Sequence, residues 1–253
     1  MKRLNQTEKD YIISLLKEGK SLNYISKITG KNKSTLYPYY KKLFGKKFKD
    51  VIIDENDDLF IGELVGLFVG DGYSFYDNKA KSYAVNLYFN HLERSYVDNL
   101  IELLTIKFQK KPQVYYSSDL INIKYHSKKL YYFLLKYVKW NVNIPVYKKK
   151  SRTVYLADLI YSYDFKRGFL KGFLDSDGHL SPKKLTYDSS SSRIIEQTNN
   201  FLISLNFEKR KIGISKSKII GRADMKRLSF KKHEREKFFE LINPRNTVML
   251  NRH

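Results

Sequence analysis

Apolar and polar positions divide the chain into a short helical head and a longer part in which helices and strands alternate. In residues 1–50, Thr7 stands as a cap ahead of Tyr11, Ile12, Leu15 and Leu16, which share one helical face. Gly19 closes that helix. A second follows Ser21 and carries Leu22, Ile25 and Ile28; Gly30 lies in the turn to a third, which begins near Lys33 and carries Leu36, Tyr40, Leu43 and Phe44. A glycine turn before a basic, hydroxylic helix is the helix-turn-helix pattern, with Lys33, Ser34, Thr35, Tyr37 and Lys41 as the groove-facing group. Pro38 predicts that the third helix is short or starts late, because proline costs about 3 kcal/mol inside a helix and little in its first turn. Residues 51–58 are locally acidic and are expected to form a linker.

Beyond the linker the pattern repeats. IGELVGLFVGDG at 61–72 is echoed by RGFLKGFLDSDG at 167–178, at a constant offset of 106 residues. After the first copy come strand-like runs at 73–79 and 83–90, a helix over 93–109, a hairpin over 113–126 and a helix from Lys128. After the second come strands over 179–187, a helix over 193–206, strands at 209–216 and 225–230, and a helix over 232–242. The fold class is therefore α+β: two αββαββα halves, 59–146 and 147–253, behind a small all-α domain. The period is too long for a solenoid and fits a fused pseudo-dimer, so the chain is expected to be a monomer with internal two-fold pseudosymmetry.

Each copy is a helix that ends in acid-Gly. Gly62, Gly66 and Gly70 in the first, and Gly168, Gly172 and Ser176 in the second, recur every four residues and draw a stripe of small side chains down one face. Glycine costs about 1 kcal/mol in a helix interior, so the stripe needs a reason. Close approach of two backbones supplies one, and each stripe has the other as its partner. Asp71 and Asp177 then emerge together at one end. Paired carboxylates beside two helix C-termini favour hard divalent cations, Mg2+ above all.

Charge adds a substrate class. Lys and Arg number 48 against 26 Asp and Glu, a net +22, which points to a polyanion and to double-stranded DNA in particular. The absence of cysteine excludes disulfides and thiolate zinc sites. The absence of a hydrophobic leader or membrane-length run predicts a cytoplasmic or organellar-matrix protein with no membrane partner. On the strands, Asn122 and Lys124 alternate against Ile121 and Ile123; Lys209, Lys211 and Ser215 against Ile212 and Ile214; Arg227 and Ser229 against Leu228 and Phe230. These polar sets are the expected DNA-facing positions. Lys148, Lys149, Lys150 and Arg152, between the halves, are expected to track phosphates.

LVGLFVGDG at 64–72 and LKGFLDSDG at 170–178 resemble the two LAGLIDADG motifs of monomeric homing endonucleases. SKKLYYF at 127–133 resembles the hairpin-to-helix junction of archaeal-type members. The resemblance implies a saddle of two antiparallel sheets on DNA and double-strand cleavage. It implies Asp71 and Asp177 as catalytic metal ligands, with Gly70 and Ser176 beside them at the metal. It implies that Mn2+ replaces Mg2+ and that Ca2+ binds without supporting cleavage. Asp175, often acidic in the family, is read as structural or as capping the helix end. The basic or amide residue expected near each scissile phosphate falls at Asn90 and His91 in the first half, with His179 a further near-site histidine. The second half offers Asp188, Ser189 and Ser190 there. That asymmetry leaves open a DNA-binding regulator or an RNA maturase on a catalytically weakened scaffold.

Overall fold

The computed structural model describes residues 4–45, 50–141, 149–181, 184–217 and 223–246. The chain divides into two compact units, Met1–Lys49 and Asp50–His253.

The first unit has three helices, α1 (Gln6–Lys17), α2 (Leu22–Thr29) and α3 (Lys33–Phe44), around Ile12, Leu15, Leu16, Leu22, Ile25 and Leu36. The α1 cap is Asn5 rather than Thr7. Its side chain accepts from the Glu8 amide while Glu8 accepts from the Asn5 amide, a reciprocal pair that Thr7 has no Glu or Gln three residues on to complete. Gly30 takes φ +63° to turn the chain between α2 and α3. Contrary to the expectation from Pro38, α3 runs unbroken. The proline removes only the donor for the carbonyl of Ser34, an exposed residue that water reaches. Lys33, Ser34 and Lys41 are exposed, whereas Thr35 is half-buried and Tyr37 packs against the core beside Tyr40.

The second unit is built twice. Its first half runs α4 (Asp58–Asp71), β1 (Gly72–Asp77), β2 (Ser82–Asn90), a 3-10 turn at His91–Glu93, α5 (Arg94–Phe108), β3 (Gln113–Tyr116), β4 (Leu120–His126) and α6 (Lys128–Tyr137). Next come β5 (Val138–Lys139), α7 (Lys149–Thr153) and β6 (Tyr155–Leu156). The second half runs α8 (Tyr163–Asp177), β7 (Gly178–Ser181), β8 (Lys184–Ser189), α9 (Ser192–Ser204), β9 (Gly213–Ser215), β10 (Met225–Ser229) and α10 (Arg235–Ile242). The sheets are antiparallel with matching orders, β1-β2-β4-β3 and β7-β8-β10-β9. In the first, Val85, Leu87 and Phe89 pair with Tyr125, Ile123 and Ile121 on the core face, which leaves Asn86, Tyr88, Asn122 and Lys124 on the other. In the second, Tyr187 and Leu228 face the core, while Thr186, Asp188, Arg227 and Ser229 face away.

Two expectations are corrected. Residues 51–58 are not a free linker: Val51 and Ile53 are buried in the main core and the Ile52 amide donates to the Phe108 carbonyl at 3.0 Å. Alternating apolar side chains inside the acidic run anchor it. The strand expected over 209–216 is only Gly213–Ser215. Buried Arg210 explains this: its guanidinium meets Glu234 at 2.8 Å and its backbone is held by the Asn199 amide, so residues 209–212 cannot alternate. Lys209 and Lys211 therefore project from an exposed loop, and Ile214, expected to face the core, is 64% exposed.

At the centre α4 and α8 pack backbone to backbone. A Cβ on Gly62 would fall on the Phe165 carbonyl oxygen, one on Gly168 on that of Leu59, one on Gly66 on that of Phe169, and one on Gly172 on that of Glu63. The contact is reciprocal along the stripe, and at its end Gly70 faces the Ser176 side chain. Behind the helices the C-terminal segment ties the halves together. Arg245 Nε donates to Glu63 Oε1 on α4 at 2.7 Å, and the Arg245 and Asn246 amides donate to Asp175 on α8 at 3.0–3.1 Å. Asn246 Nδ2 reaches Glu93 Oε1 at 2.8 Å and the Asp175 carbonyl at 3.0 Å. Glu63 and Asp175, 3% and 1% exposed, are charges that the fold tolerates because this segment supplies donors.

Two stability outcomes follow. Gly172→Val should cost at least about 3 kcal/mol in urea unfolding, since backbone cannot yield to a new side chain. Gly213→Ala, whose Cβ would meet nothing nearer than 3.8 Å, should be close to neutral and is the control. Arg245→Met should cost about 2 kcal/mol, discounted for the partial exposure of the arginine: among the described residues it leaves buried Glu63 with only Lys171 at 3.9 Å.

Candidate metal and nucleic-acid centre

The duplicated helices deliver Asp71 and Asp177 as their last residues, each followed by a glycine that starts the first strand of its sheet. A Cβ on Gly72 would strike Phe68, and one on Gly178 would strike Leu174, so the helix-to-strand corner requires glycine at both. Among the described residues neither aspartate carboxylate accepts a hydrogen bond or forms an ion pair. Asp71 is half-buried and Asp177 is solvent-accessible, with protein packed closely around both. Burial holds the Asp71 carboxyl up at about 8, the Asp177 and Glu93 charges adding to it and Lys150 opposing. Burial likewise holds Asp177 at about 6, with Lys150 opposing and Asp188 adding. Two bare carboxylates with neutralising charge in short supply have the donor chemistry of a hard divalent-cation site. The Asp71 and Asp177 carboxylates fit such an ion; of the carbonyls beside them, that of Gly70 already accepts from Lys150.

Lys150, expected to track phosphates, reaches the end of α4 instead: its Nζ donates to the carbonyls of Val69 at 2.7 Å and Gly70 at 3.3 Å and lies 5.2 Å from the Phe68 ring centroid. It thus caps the α4 C-terminus, where helical carbonyls have no intrahelical donor. Burial pushes its pKa down to about 8 against the pull of Asp177 and Asp71. Arg152 is half-buried on the same short helix; Lys148 lies outside the described residues, and of Lys149 only the backbone is described.

Asn90 does not reach toward the aspartates. Its side chain accepts from the Leu92 amide at 2.9 Å and its amide donates to Glu93, a capping pair that starts the turn before α5. His91 is exposed on that turn, and His179 lies on β7 opposite Thr186. In the second half Asp188 has a basic partner after all. Arg227 from β10 grips it with Nε at 2.5 Å and Nη2 at 3.1 Å, and Thr186 adds a hydroxyl at 3.2 Å. Cross-strand pairing of Arg227 with Asp188, invisible in a linear motif search, makes this contact. Ser215 and Ser229 are exposed, while Asn122 and Lys124 are half-buried; Lys124 Nζ lies over the Phe75 ring, 5.7 Å from its centroid, and Asn122 donates to Asn86.

A helix-and-sheet unit repeated in one chain, with its motif helices paired so that two aspartates end together, defines a pseudo-dimeric two-motif protein. Residues 164–243 match the family model of the LAGLIDADG-like domain, and the chain carries the two-motif LAGLIDADG fold. The homing endonuclease I-DmoI shares that fold. A structure of its mesophilic variants superposes with a TM-score of 0.52 at 19% identity, covering 79% of this chain and 99% of that one. Its complex with DNA and Ca gives 0.53 at 19% identity, covering 74% and 91%. An uncharacterized protein of Methanocaldococcus jannaschii, MJ0398, is 24% identical over 221 residues, 81% of this chain and 74% of the relative.

The raised carboxyls give a pH dependence of stability. Both aspartates hold protons more tightly in the folded chain than in the unfolded chain, where Asp titrates near 4. The stability they contribute is full below about pH 4 and is lost as pH rises through about 6 for Asp177 and about 8 for Asp71. Asp175, held up at about 7 by burial, acts in the same direction; Lys150, pushed down to about 8, titrates at the upper edge of this window, and its effect, opposite in sign, lies at higher pH. Calorimetry without metal should therefore show Tm falling from pH 5 to 8. Ca2+ should raise Tm more at pH 8 than at pH 5, and Asp71→Asn with Asp177→Asn should flatten both effects. A slope unchanged in the double variant would assign it elsewhere.

Proposed function

We propose that this protein is a monomeric, divalent-metal-dependent, site-specific double-strand DNA endonuclease of the homing type. The observation that carries the reading is the pair of aspartates at matched helix ends, which accept no hydrogen bond among the described residues, in a chain of net charge +22. Two carboxylates held beside DNA phosphates with no cation would oppose binding, so their retention fits a metal role. A bound Mg2+ would activate water and stabilise the leaving oxygen. The chain's own part is to place Asp71 and Asp177, one per strand, and to hold the phosphodiester between the sheets. Mn2+ is expected to substitute and Ca2+ to bind without cleavage. I-DmoI, with the same fold, has been crystallised with DNA and Ca and with DNA and Mn.

DNA contacts are assigned to Asn122, Lys124, Arg227, Ser229 and Ser215 on the outward sheet faces, and to Lys209, Lys211 and Arg152 beside them. The three-helix unit is assigned as a helix-turn-helix that extends the footprint through Lys33, Ser34 and Lys41. His91 is assigned to orient water or phosphate at the first strand. No described helix is long and apolar enough to cross a membrane; we place the protein with its DNA in the cytoplasm or an organellar matrix.

The test is cleavage of a randomised or host-derived DNA library in Mg2+. Asp71→Asn and Asp177→Asn should each convert double-strand breaks to nicks, on opposite strands, and the double variant should lose at least about 1,000-fold in rate. Undiminished cutting by the double variant would take the pair out of the chemistry. Specific binding without cleavage in either Mg2+ or Mn2+ would replace the nuclease by a DNA-binding protein on the same scaffold.

A further inference from the structure

The two helix ends match in sequence and differ in what covers them. On α4 the carbonyls of Val69 and Gly70 both accept from Lys150 Nζ. At the corresponding positions on α8, the Asp175 carbonyl accepts from Asn246 Nδ2 at 3.0 Å, and the Ser176 carbonyl accepts no hydrogen bond among the described residues. One end is thus closed by a full positive charge and the other by a neutral amide that leaves its last carbonyl open.

The lysine is held there by the opposite half. Its own carbonyl accepts from the Val154 amide at 2.9 Å. The Val154 carbonyl accepts from Ser191 Oγ at 2.6 Å, and the Ser151 carbonyl from Ser190 Oγ at 2.6 Å. Ser190 and Ser191 lead into α9, so the second half presents an ammonium to the helix end of the first. An ammonium on a main-chain carbonyl offers what a hard cation offers, positive charge to an oxygen. It makes no ion pair with Asp71 or Asp177, so both carboxylates keep their oxygens for a ligand.

We propose that Lys150 is a resident cation at the first metal position. The free protein loads one divalent ion, at the Ser176–Asp177 end, and the Gly70–Asp71 position opens only when Lys150 withdraws. An incoming phosphodiester is the anion that would draw the ammonium away, so the first position fills after DNA has arrived and the two strands are served in order. The inference rests on the metal-centre reading of the aspartates.

Binding of Mn2+ to the full chain without DNA, read as free Mn2+ by electron paramagnetic resonance at neutral pH, separates the two claims. The unaltered protein should take one ion, lost in Asp177→Asn and retained in Asp71→Asn. Lys150→Met and Lys150→Gln, checked for native circular dichroism, should take a second ion within about tenfold of the first in affinity, and Asp71→Asn placed on either background should remove it. Two ions in the unaltered protein, or one ion with unchanged affinity in both Lys150 variants, would overturn the role of Lys150 while leaving the metal centre standing. Mn2+ binding indifferent to both aspartates would overturn the metal centre itself, and the Lys150 role with it.

Discussion

The contact on which the second unit depends is backbone against backbone. α4 and α8 approach so closely that the space for a Cβ at Gly62, Gly66, Gly168 and Gly172 is filled by the carbonyl oxygen of the facing helix. Side chains between them would push the helix ends apart and part Asp71 from Asp177. The helical cost of each glycine, about 1 kcal/mol, is thus offset where the two halves join. Burial elsewhere follows from this choice. Phe169 and Phe173 leave the stripe side and are fully buried in their own half, against Phe201 and Tyr187, while Phe165 stacks on Tyr137 of the first half.

Bringing two helix C-termini together creates an electrostatic difficulty that the helices do not resolve themselves. Their dipoles and terminal carboxylates concentrate negative charge at one place, and burial raises both carboxyls. Relief arrives from chain that is not part of the duplicated unit. Lys150 comes from the connector between the halves; Arg245 and Asn246 come from the segment after α10 and satisfy Glu63, Asp175 and Glu93. Asp175, two residues from the end of its helix, illustrates the division. The sequence places it one step from the site, yet it is turned away and spent on holding backbone amides.

Much of this was legible in the sequence because repetition supplied a second reading of each element. The glycine stripes and the acid-Gly helix ends appear where the 106-residue offset put them, and the hairpins and flanking helices follow in the same order in both halves. Contacts between positions far apart and unrelated by the repeat were not legible. Nothing periodic marks Lys150 among its neighbouring lysines, and only the folded connector turns it under α4. Asn90 has the right side chain for a phosphate contact, but local competition for the amide of Leu92 uses it as a cap. Arg227 was assigned to the correct face of β10 from alternation alone; that it would be held by Asp188 depended on strand pairing. The short β9 was misjudged because Arg210, a residue type expected outside, is drawn inward by Glu234.

The same contrast explains why a duplicated scaffold need not give two equivalent sites. Inherited symmetry fixes the positions of backbone: the helix pair, the sheet orders and the glycine corners. Side chains on the sheets are free to differ, and they do. The outward face of the first sheet carries Tyr73, Phe75 and Tyr88 around Asn86, Asn122 and Lys124, whereas the second carries Thr186, Asp188, Arg227 and Ser229. The first surface is aromatic and offers stacking and methyl contacts; the second is a hydrogen-bonding surface with one arginine already oriented by a carboxylate. Because backbone contacts hold the helix pair together, side chains on the sheets can diverge without entering that contact. Backbone symmetry and side-chain asymmetry are thus compatible in a single chain, as they cannot be in a homodimer, where every substitution appears on both sides at once.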